Sequence, residues 1–450
     1  MRRAAAILLA GWLGTAGALA AVPRESTVDT GGLGPVTVYA PDGPPTSVVL
    51  FVSGDGGWNA GVVAMARHLR DWGALVAGVD VRHCQTGTSP VKTGCHPPAV
   101  AFERLAHAVE KRAGLTSYVS PILVGYSSGA NLVYAIAREA PAGTFAGAIS
   151  LGFCAKPAAG AAVPAAARLD LPWIVLHGAL DQVCAAEATR EFVAGVARAK
   201  FVLLPAVGHG YAVEANWLPQ FRDAYLKLVT ATTEPAPAAS DIADLPLVEV
   251  PAGRAAAGLP ADTFVVLLTG DGGWAGLDRA LAADLAAGGV PVVALSTLRY
   301  FWRQQTPEDA GRDLGRIIGH YAAAWHRPRV LLVGYSFGAN VLPFLAARLP
   351  SEARQAVRGL GLLAPASHAD FEIRVADWIP GSVPQGRPVQ PALLALTGVP
   401  VLCLYSTEDS DSPCPALPPA RGRAVSLPGG HHFGGDSATL ARELLGFMGL

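Results

Sequence analysis

Val330-Leu-Leu-Val-Gly-Tyr-Ser-Phe-Gly-Ala-Asn340 is the stretch that decides the fold of this 450-residue chain. An apolar run leads into a Gly-x-Ser-x-Gly pentapeptide, and a helix-like segment follows it. The same order occurs earlier, in Pro121-Ile-Leu-Val-Gly-Tyr-Ser-Ser-Gly-Ala-Asn131. A strand, a sharp turn and a helix in this order hold a serine hydroxyl above the edge of a parallel sheet. The two serines, Ser127 and Ser336, are 209 positions apart.

A second pair of motifs repeats at almost the same spacing. Ser53-Gly-Asp-Gly-Gly-Trp58 and Thr269-Gly-Asp-Gly-Gly-Trp274 are 216 positions apart, measured between the tryptophans. Two motifs recurring in the same order predict a duplicated domain, and the length fits two cores. We expect one domain over 21–230, a linker rich in Ala, Pro and Thr over 231–245, and a second domain over 246–450.

Strand-like and helix-like segments alternate through both halves. This alternation predicts an α/β fold in which each domain has a mostly parallel sheet covered by helices on both faces. Hydrophobic residues make up 51% of the chain and charged residues 15%, which argues against disorder. The net charge is −1, and the basic residues form no patch or stripe, so we expect no nucleic-acid partner.

The N-terminus has the pattern of a secretory signal peptide. Arg2-Arg3 precede an apolar stretch that ends in Ala18-Leu-Ala20, so we expect cleavage after Ala20 and a periplasmic protein. The alternative is an uncleaved anchor, for which the stretch is short and interrupted by glycine.

The six cysteines are an even number, as is typical of disulfides in an exported protein. Their positions in the chain suggest three pairs: Cys84 with Cys95, Cys154 with Cys184, and Cys403 with Cys414. The alternative is buried free thiols. Because the sequence has no C-x-x-C motif and no Cys/His cluster, we expect neither a metal nor another cofactor.

The first half supplies the partners that a serine nucleophile needs. A histidine must act as base and an acid must orient it, and in α/β-hydrolases the chain order is serine, acid, histidine. Asp181 follows the strand-like Trp173-Ile-Val-Leu176, and His209 follows the strand-like Lys200 to Leu204. The predicted triad is Ser127, Asp181 and His209.

The second half supplies the same order with alternatives. Counting back from the following cysteine favours Asp411 as the acid, whereas counting forward from the strand favours Asp409. Counting from the preceding proline favours His432 as the base, with His431 as its neighbour and alternative. We expect Ser336, Asp411 and His432 to form the second triad.

The glycine-rich loops and the residues after the two serines are candidates for an oxyanion hole. Such a hole needs backbone N–H groups aimed at the developing negative charge, and glycine lets the backbone come close. The candidate donors are the amides of Gly54, Asp55 and Ser128 in the first half, and of Gly270, Asp271 and Phe337 in the second.

Several stretches of the second half resemble the bacterial virulence protein family of VirJ and AcvB, whose VirJ-like members have one such domain and AcvB-like members two. The whole chain resembles the longer, AcvB type. The stretches are Thr269-Gly-Asp-Gly-Gly-Trp274, Ser296-Thr-Leu-Arg-Tyr-Phe-Trp302, Gly334-Tyr-Ser-Phe-Gly-Ala-Asn340, Glu408-Asp-Ser-Asp-Ser-Pro-Cys414 and Gly429-Gly-His-His-Phe433.

The resemblance implies a periplasmic α/β-hydrolase. AcvB-like members are associated with hydrolysis of aminoacyl-phosphatidylglycerol, so it implies an esterase that acts on the lysyl or alanyl ester of this lipid and reaches the membrane surface transiently. VirJ-like members are also associated with type IV secretion. The alternative function is therefore a non-catalytic binding or chaperone-like role with secretion-system components as partners.

A cationic aminoacyl lipid needs matching groups in the pocket. We expect Tyr300 or Trp302 to meet the amine and Arg299 or Arg303 to meet the lipid phosphate. The alternative is that these aromatic residues belong to the core and that the arginines are solvated.

Overall fold

The computed structural model describes residues 24–29, 33–84, 99–140, 143–155, 166–232, 241–252, 262–274, 276–374 and 386–449. The predicted signal peptide and Cys95 lie outside these residues. Within the described part of the chain, no helix has both the length and the apolar composition needed to cross a membrane.

The first half forms an eight-stranded sheet. Its strand order is β1-β2-β4-β3-β5-β6-β7-β8, in which β1 and β2 are antiparallel to their neighbours and the other pairs are parallel. The strands are β1 Glu25–Asp29, β2 Pro35–Tyr39, β3 Ser47–Val52, β4 Ala74–Val79, β5 Ile122–Tyr126, β6 Gly147–Leu151, β7 Arg168–Gly178 and β8 Ala197–Leu204. The helices are α1 Ala60–Asp71, α2 Val81–Cys84, α3 Ala99–Arg112, α4 Ser128–Glu139, α5 Ala186–Ala194 and α6 Leu218–Thr232.

The second half forms a seven-stranded sheet of order β9-β11-β10-β12-β13-β16-β17, and a small ribbon of β14 and β15 lies apart from it. The strands are β9 Leu247–Val250, β10 Thr263–Leu268, β11 Val292–Leu295, β12 Arg329–Tyr335, β13 Val357–Leu363, β14 His368–Ala369, β15 Arg387–Pro388, β16 Val401–Tyr405 and β17 Gly422–Ser426. The helices are α7 Gly276–Ala287, α8 Thr297–Tyr300, α9 Pro307–Ala324, α10 Phe337–Ala346, α11 Ser351–Ala356, α12 Val389–Ala395 and α13 Ser437–Phe447.

The two large sheets have the same topology apart from β1. Strands β9, β11, β10, β12, β13, β16 and β17 follow each other in space as β2, β4, β3, β5, β6, β7 and β8 do. The predicted fold class, two tandem α/β domains with mostly parallel sheets, is confirmed. The sequence patterns did not predict β1 and β9, which are short, partly exposed edge strands without a continuous apolar run.

Each sheet is buried between two layers of helices because its central strands are apolar on both faces. In β3 and β10 every residue is buried. Alternate side chains of β10 point to opposite faces, so Val266 and Val265 belong to different core clusters. Burying a side chain of this size contributes roughly 1.5–3 kcal/mol, so these strands anchor the two cores.

The described part of the predicted linker packs on the second half. Ile242 and Leu245 are buried in the core cluster that contains β10. The Leu247 N–H donates to Leu245 O at 2.9 Å, and the next residues form β9. These contacts hold the segment that leads into the second half against the second sheet.

Helix α3 of the first half is attached to the second half. The Trp302 indole N–H donates to Leu115 O at 2.9 Å, just beyond the end of α3. The Lys111 ammonium lies 4.6 Å from the centre of the Trp302 ring and forms an ion pair with Glu372 at 3.1 Å. Tyr118 is buried in the core cluster of the second half. Together these contacts place α3 beside the loops of the second sheet.

Candidate active sites

Both predicted elbows are present. Ser127 follows β5 and precedes α4 with φ 55° and ψ −120°, and Ser336 follows β12 and precedes α10 with φ 48° and ψ −113°. Non-glycine residues rarely adopt positive φ, and where they do so the strain often marks a functional site. At both turns the strain lifts the serine side chain above the sheet, as the pentapeptides predict.

The glycines of the elbows allow helix and strand to meet closely. A Cβ at Gly129 would lie 2.3 Å from Ser53 O, and one at Gly338 would lie 2.2 Å from Leu268 O. Ser53 directly follows β3 and Leu268 ends β10, so both oxygens are backbone atoms that cannot move aside. A larger residue at either position would push the nucleophile away from its glycine-rich loop.

The first predicted triad is assembled. Ser127 Oγ lies 2.9 Å from His209 Nε2, and His209 Nδ1 lies 2.8 Å from Asp181 Oδ2. The Asp181 Oδ1 atom accepts N–H bonds from Val183 at 2.8 Å and Cys184 at 2.9 Å, which fix the carboxylate. This is the arrangement in which an acid orients a histidine toward a serine.

The second triad is formed by the alternatives to the predicted residues. Ser336 Oγ lies 2.8 Å from His431 Nε2, and His431 Nδ1 lies 3.0 Å from Asp409 Oδ2. The prediction of Asp411 and His432 is therefore wrong. His432 Nδ1 instead forms a hydrogen bond of 2.5 Å with the Tyr335 hydroxyl, and Asp411 accepts the Ser367 N–H at 3.3 Å.

The sheet register explains why Asp409, and not Asp411, is the acid of the second triad. Leu176 and Leu404 occupy equivalent positions, because each pairs with the residue whose carbonyl accepts the N–H of the nucleophile. Asp181 and Asp409 are each five residues beyond that leucine. The loop between Asp409 and its cysteine is longer than in the first half, so counting from the cysteine misleads.

The loop after β17 explains why His431, and not His432, is the base of the second triad. Gly429 and Gly430 both have positive φ, 96° and 63°, and open a tight turn over Gly430–Gly435. This turn brings His431 over Ser336 one residue earlier than the spacing in the first half predicts. Burial and, next, the neighbouring His431 lower the pKa of His432.

The glycine-rich loops lie beside the nucleophiles. A Cβ on Gly54 would be 3.0 Å from Ser127 Cβ, and one on Gly270 would be 3.7 Å from Ser336 Cβ. However, the Gly270 N–H donates to Asp278 Oδ1 at 3.2 Å. This amide is already engaged, which leaves Asp271 and Phe337 as the candidate oxyanion donors of the second site.

Their counterparts in the first half are Asp55 and Ser128. Ser128 and Phe337 are the first residues of α4 and α10. The N–H groups of a first helical turn have no partner within the helix, so they can face a ligand. Burial and the nearby Asp271 carboxylate raise the pKa of Asp278, which counters the lowering by the Gly270 N–H bond.

A cavity of about 580 Å³ opens onto Ser336, and both halves of the chain line it. The second half contributes Ser336 and His431 of the triad, together with Asp271, Asp278 and His432. The first half contributes Glu103, Arg104 and His107 from α3, and Thr144. Sequence analysis missed these first-half residues because no local motif marks them: they reach the site only through the packing of the two halves.

The four predicted substrate-binding residues lie in different environments. Tyr300 and Trp302 are buried, with the Tyr300 hydroxyl donating to Asp313 at 2.7 Å and Trp302 bound to the first half. They do not face the Ser336 cavity, so the prediction that either contacts the amine is wrong. Arg303 is exposed. Arg299 is exposed and lines a neighbouring cavity of about 560 Å³, which shares Glu103 and other wall residues with the first.

Two predicted disulfides are confirmed. Cys154 and Cys184 are bonded, with 5.1 Å between their Cα atoms, and so are Cys403 and Cys414, with 5.5 Å. The third predicted pair includes Cys95, which lies outside the described residues. Among the described residues, Asp181, Cys184 and His209 are close enough to hold a metal ion, but the Cys184 sulfur is already bonded to Cys154.

Comparison with solved structures gives matches that span a little under half of this chain. An α/β serine hydrolase without a lid from Xanthomonas campestris has 21% identity and a TM-score of 0.33, and the match covers 46% of this chain and 95% of that one. A thermophilic esterase from Thermogutta terrifontis has 16% identity and a TM-score of 0.36, covering 47% and 96%. Est1E from Butyrivibrio proteoclasticus has 16% identity and a TM-score of 0.33, covering 46% and 99%.

Sequence comparison with curated proteins gives no significant match. Residues 262–449 match the family model described as "Bacterial virulence protein (VirJ)". This segment contains β10, the elbow at Ser336, Asp409 and His431. The resemblance stated for the second half is confirmed for residues 262–449, which are similar to this family over β10 to α13.

Proposed function

We propose that this protein is a serine esterase that hydrolyses the aminoacyl ester of aminoacyl-phosphatidylglycerol, lysyl or alanyl. One observation carries the proposal: the Ser336–His431–Asp409 chain of hydrogen bonds, 2.8 and 3.0 Å long, sits on a strained elbow at the wall of a cavity. A serine so placed is activated for attack on an ester carbonyl.

The reaction would proceed in two steps. Ser336 Oγ attacks the ester carbonyl carbon while His431 Nε2 takes its proton, and the amides of Phe337 and Asp271 bind the oxyanion. His431 then returns the proton to the leaving glycerol oxygen of the lipid, and an aminoacyl-serine remains. Water, deprotonated by the same histidine, then attacks this ester. The histidine returns the proton to Ser336 Oγ as the acyl–serine bond breaks and the amino acid is released.

The substrate class rests on two further features. The resemblance of the chain to the two-domain, AcvB-like members implies this lipid, and the VirJ match over residues 262–449 supports that resemblance. In addition, the cavity wall is acidic outside the triad, since Glu103, Asp271 and Asp278 line it. A carboxylate favours a cationic amine, and more strongly where the two are partly desolvated.

The first triad belongs to the same class of chemistry. Ser127, His209 and Asp181 make the same bonds, so we propose that the first half is a hydrolase as well. We assign the main lipid activity to Ser336 because the family match covers that half. A transient approach to the membrane surface would deliver the lipid.

We further propose that the protein is exported to the periplasm and that cleavage after Ala20 gives the mature chain. The two disulfides suit an oxidising compartment. Intact-mass measurement of protein from the periplasmic fraction tests this: a mass that retains Met1 would contradict cleavage.

The esterase proposal is tested with a fluorophosphonate probe and with lipid hydrolysis. We expect the probe to label Ser336 and to lose that label in Ser336→Ala, and we expect purified protein to release the amino acid from lysyl- or alanyl-phosphatidylglycerol. A protein that takes up no label and releases no amino acid would favour the non-catalytic role in binding or type IV secretion.

A further inference from the structure

Helix α3 of the first half forms one wall of the Ser336 cavity. Its residues Glu103, Arg104 and His107 face this space, although their own sheet carries the other triad. The Lys111–Trp302 contact and the Lys111–Glu372 ion pair hold the end of the helix against the second half. The second site is therefore completed by residues from a different domain.

Glu103 lies against the glycine-rich loop of the second half. A Cβ placed on Gly272 would be 3.6 Å from Glu103 Oε1, which is van der Waals contact. The side chain is half-buried, and its neighbour across the cavity is Asp271, the residue before Gly272. Two carboxylates from different halves thus share the loop whose amides flank Ser336.

The chemistry of an aminoacyl ester places its charge near this loop. The ammonium nitrogen is separated from the ester carbonyl carbon by a single carbon atom. If the Asp271 and Phe337 amides hold the oxyanion, the ammonium must lie within a few bond lengths of the same loop. Among the described residues that line the cavity, the acidic side chains outside the triad are Glu103, Asp271 and Asp278, and Asp278 accepts the Gly270 N–H of this loop at 3.2 Å.

We propose that Glu103, supplied by the first half, is the specificity-determining residue that binds the ammonium group of the aminoacyl ester during hydrolysis at Ser336. This inference rests on the proposed esterase function and deepens it. It explains why a second domain is fixed against a domain that already has its own triad.

The electrostatics of the cavity favour a cationic ligand. Burial and, next, the Asp271 carboxylate raise the pKa of Glu103 to about 7. A positive ligand relieves this repulsion and favours the ionised carboxylate. Arg104 is exposed and only partly opposes the effect. His107 adds no charge, since burial and the nearby Lys111 lower its pKa to about 3.

The test uses two esters of one alcohol that differ in charge and little in shape. Alanylglycerol carries the ammonium, and 2-methylpropanoylglycerol has a methyl group in its place. The full-length protein, Glu103→Gln and Glu103→Asp are assayed on both. Glu191→Gln is the matched control, because Glu191 is an exposed glutamate on α5, outside the set of residues lining the cavity.

We expect Glu103→Gln to lower kcat/KM for alanylglycerol by about tenfold to a hundredfold, mainly through KM, as for loss of a charge-assisted hydrogen bond. Its kcat/KM for 2-methylpropanoylglycerol and its rate of fluorophosphonate labelling at Ser336 should stay within about twofold. Glu103→Asp should retain much of the preference for the charged ester.

Equal losses on both esters, or no loss on either, would overturn the role of Glu103 while leaving the esterase intact. Slower labelling at Ser336 together with equal losses would mean that Glu103 serves folding, which also overturns it. If the wild-type protein hydrolyses neither ester nor the aminoacyl lipid, the proposed function fails and the inference fails with it.

Discussion

Ser127 and Ser336 each have a histidine nitrogen within hydrogen-bond distance, at 2.9 Å in the first half and 2.8 Å in the second. The bonds from histidine to acid are also alike, at 2.8 and 3.0 Å. The reacting groups are thus the same in both halves. What distinguishes the two sites is what surrounds them.

Apolar side chains lie exposed on the loops of the first triad, with Leu180, Val183 and Val213 exposed by 62%, 60% and 57%. In contrast, the second triad faces α3 of the other half across a cavity with acidic walls. His432 and Asp278 have no equivalent in the first half, where Gly210 follows His209 and Val62 occupies the place of Asp278. The comparison teaches that two triads with the same hydrogen bonds lie in different surroundings, exposed apolar loops at the first and an acidic cavity wall at the second.

The serines give the largest expected effect and the most direct test of this comparison. Ser336→Ala should abolish release of the amino acid from aminoacyl-phosphatidylglycerol, with a fall in kcat of about 10⁶ as for other triad serines. Ser127→Ala should cost much less on this substrate. The measurement is turnover of the lipid by each variant, with fluorophosphonate labelling to report the remaining serine. The assignment is reversed if Ser127→Ala is the inactivating change.

The two adjacent histidines come next. His431→Ala should lower kcat about as much as loss of the serine, because the base and the nucleophile act as a unit. His432→Ala should cost about tenfold or less, since its Nδ1 atom is bonded to Tyr335 and not to Ser336. Circular dichroism of both variants checks folding. Equal, severe losses in the two variants would contradict the assignment of His431, and not His432, as the base of the second triad.

Much of this site could be predicted from local sequence. The elbows at Ser127 and Ser336, the triad order and two disulfides follow from short patterns with a physical cause. The choice of His431 over His432 could not be predicted, because it depends on the left-handed turn at Gly429 and Gly430.

The position of Glu103 could not be predicted either, for a different reason. It depends on how two domains pack, and a single sequence contains no pattern for that contact. The burial of Trp302 has the same origin, since its indole N–H is satisfied by Leu115 of the other half. From sequence alone, an aromatic residue beside a predicted active site is easily taken for a ligand contact. Its packing partner in the other domain shows that it has a structural role.

The two aspartates of the second loop give a smaller effect. Asp409→Asn should lower kcat by about 10⁴, as expected when the histidine loses the acid that sets its tautomer. Asp411→Asn should change it by less than about tenfold, since Asp411 accepts only the Ser367 N–H at 3.3 Å. Steady-state kinetics on a neutral ester measures both without involving the ammonium site. A greater loss in Asp411→Asn would contradict the register argument from Leu404.

The disulfides give the smallest expected effect, and removing each one in turn again compares the two halves. In the chain-entropy account, a crosslink over 30 positions stabilises by about 3–4 kcal/mol and one over 11 positions by about 3 kcal/mol. Replacing Cys154 and Cys184 by serine should therefore cost slightly more stability in urea unfolding than replacing Cys403 and Cys414.

The effect on the two active sites should differ more clearly than the effect on stability. The Cys184 N–H donates to Asp181 at 2.9 Å, whereas the Cys414 N–H donates to Ser412 at 3.3 Å. Loss of the first disulfide should thus loosen the acid of its own triad and slow fluorophosphonate labelling at Ser127, while loss of the second should leave labelling at Ser336 nearly unchanged. Labelling is compared in buffer without urea, where both variants are folded. If Ser336 is slowed as much as Ser127, the disulfides support both acid loops alike, and this difference between the halves does not exist.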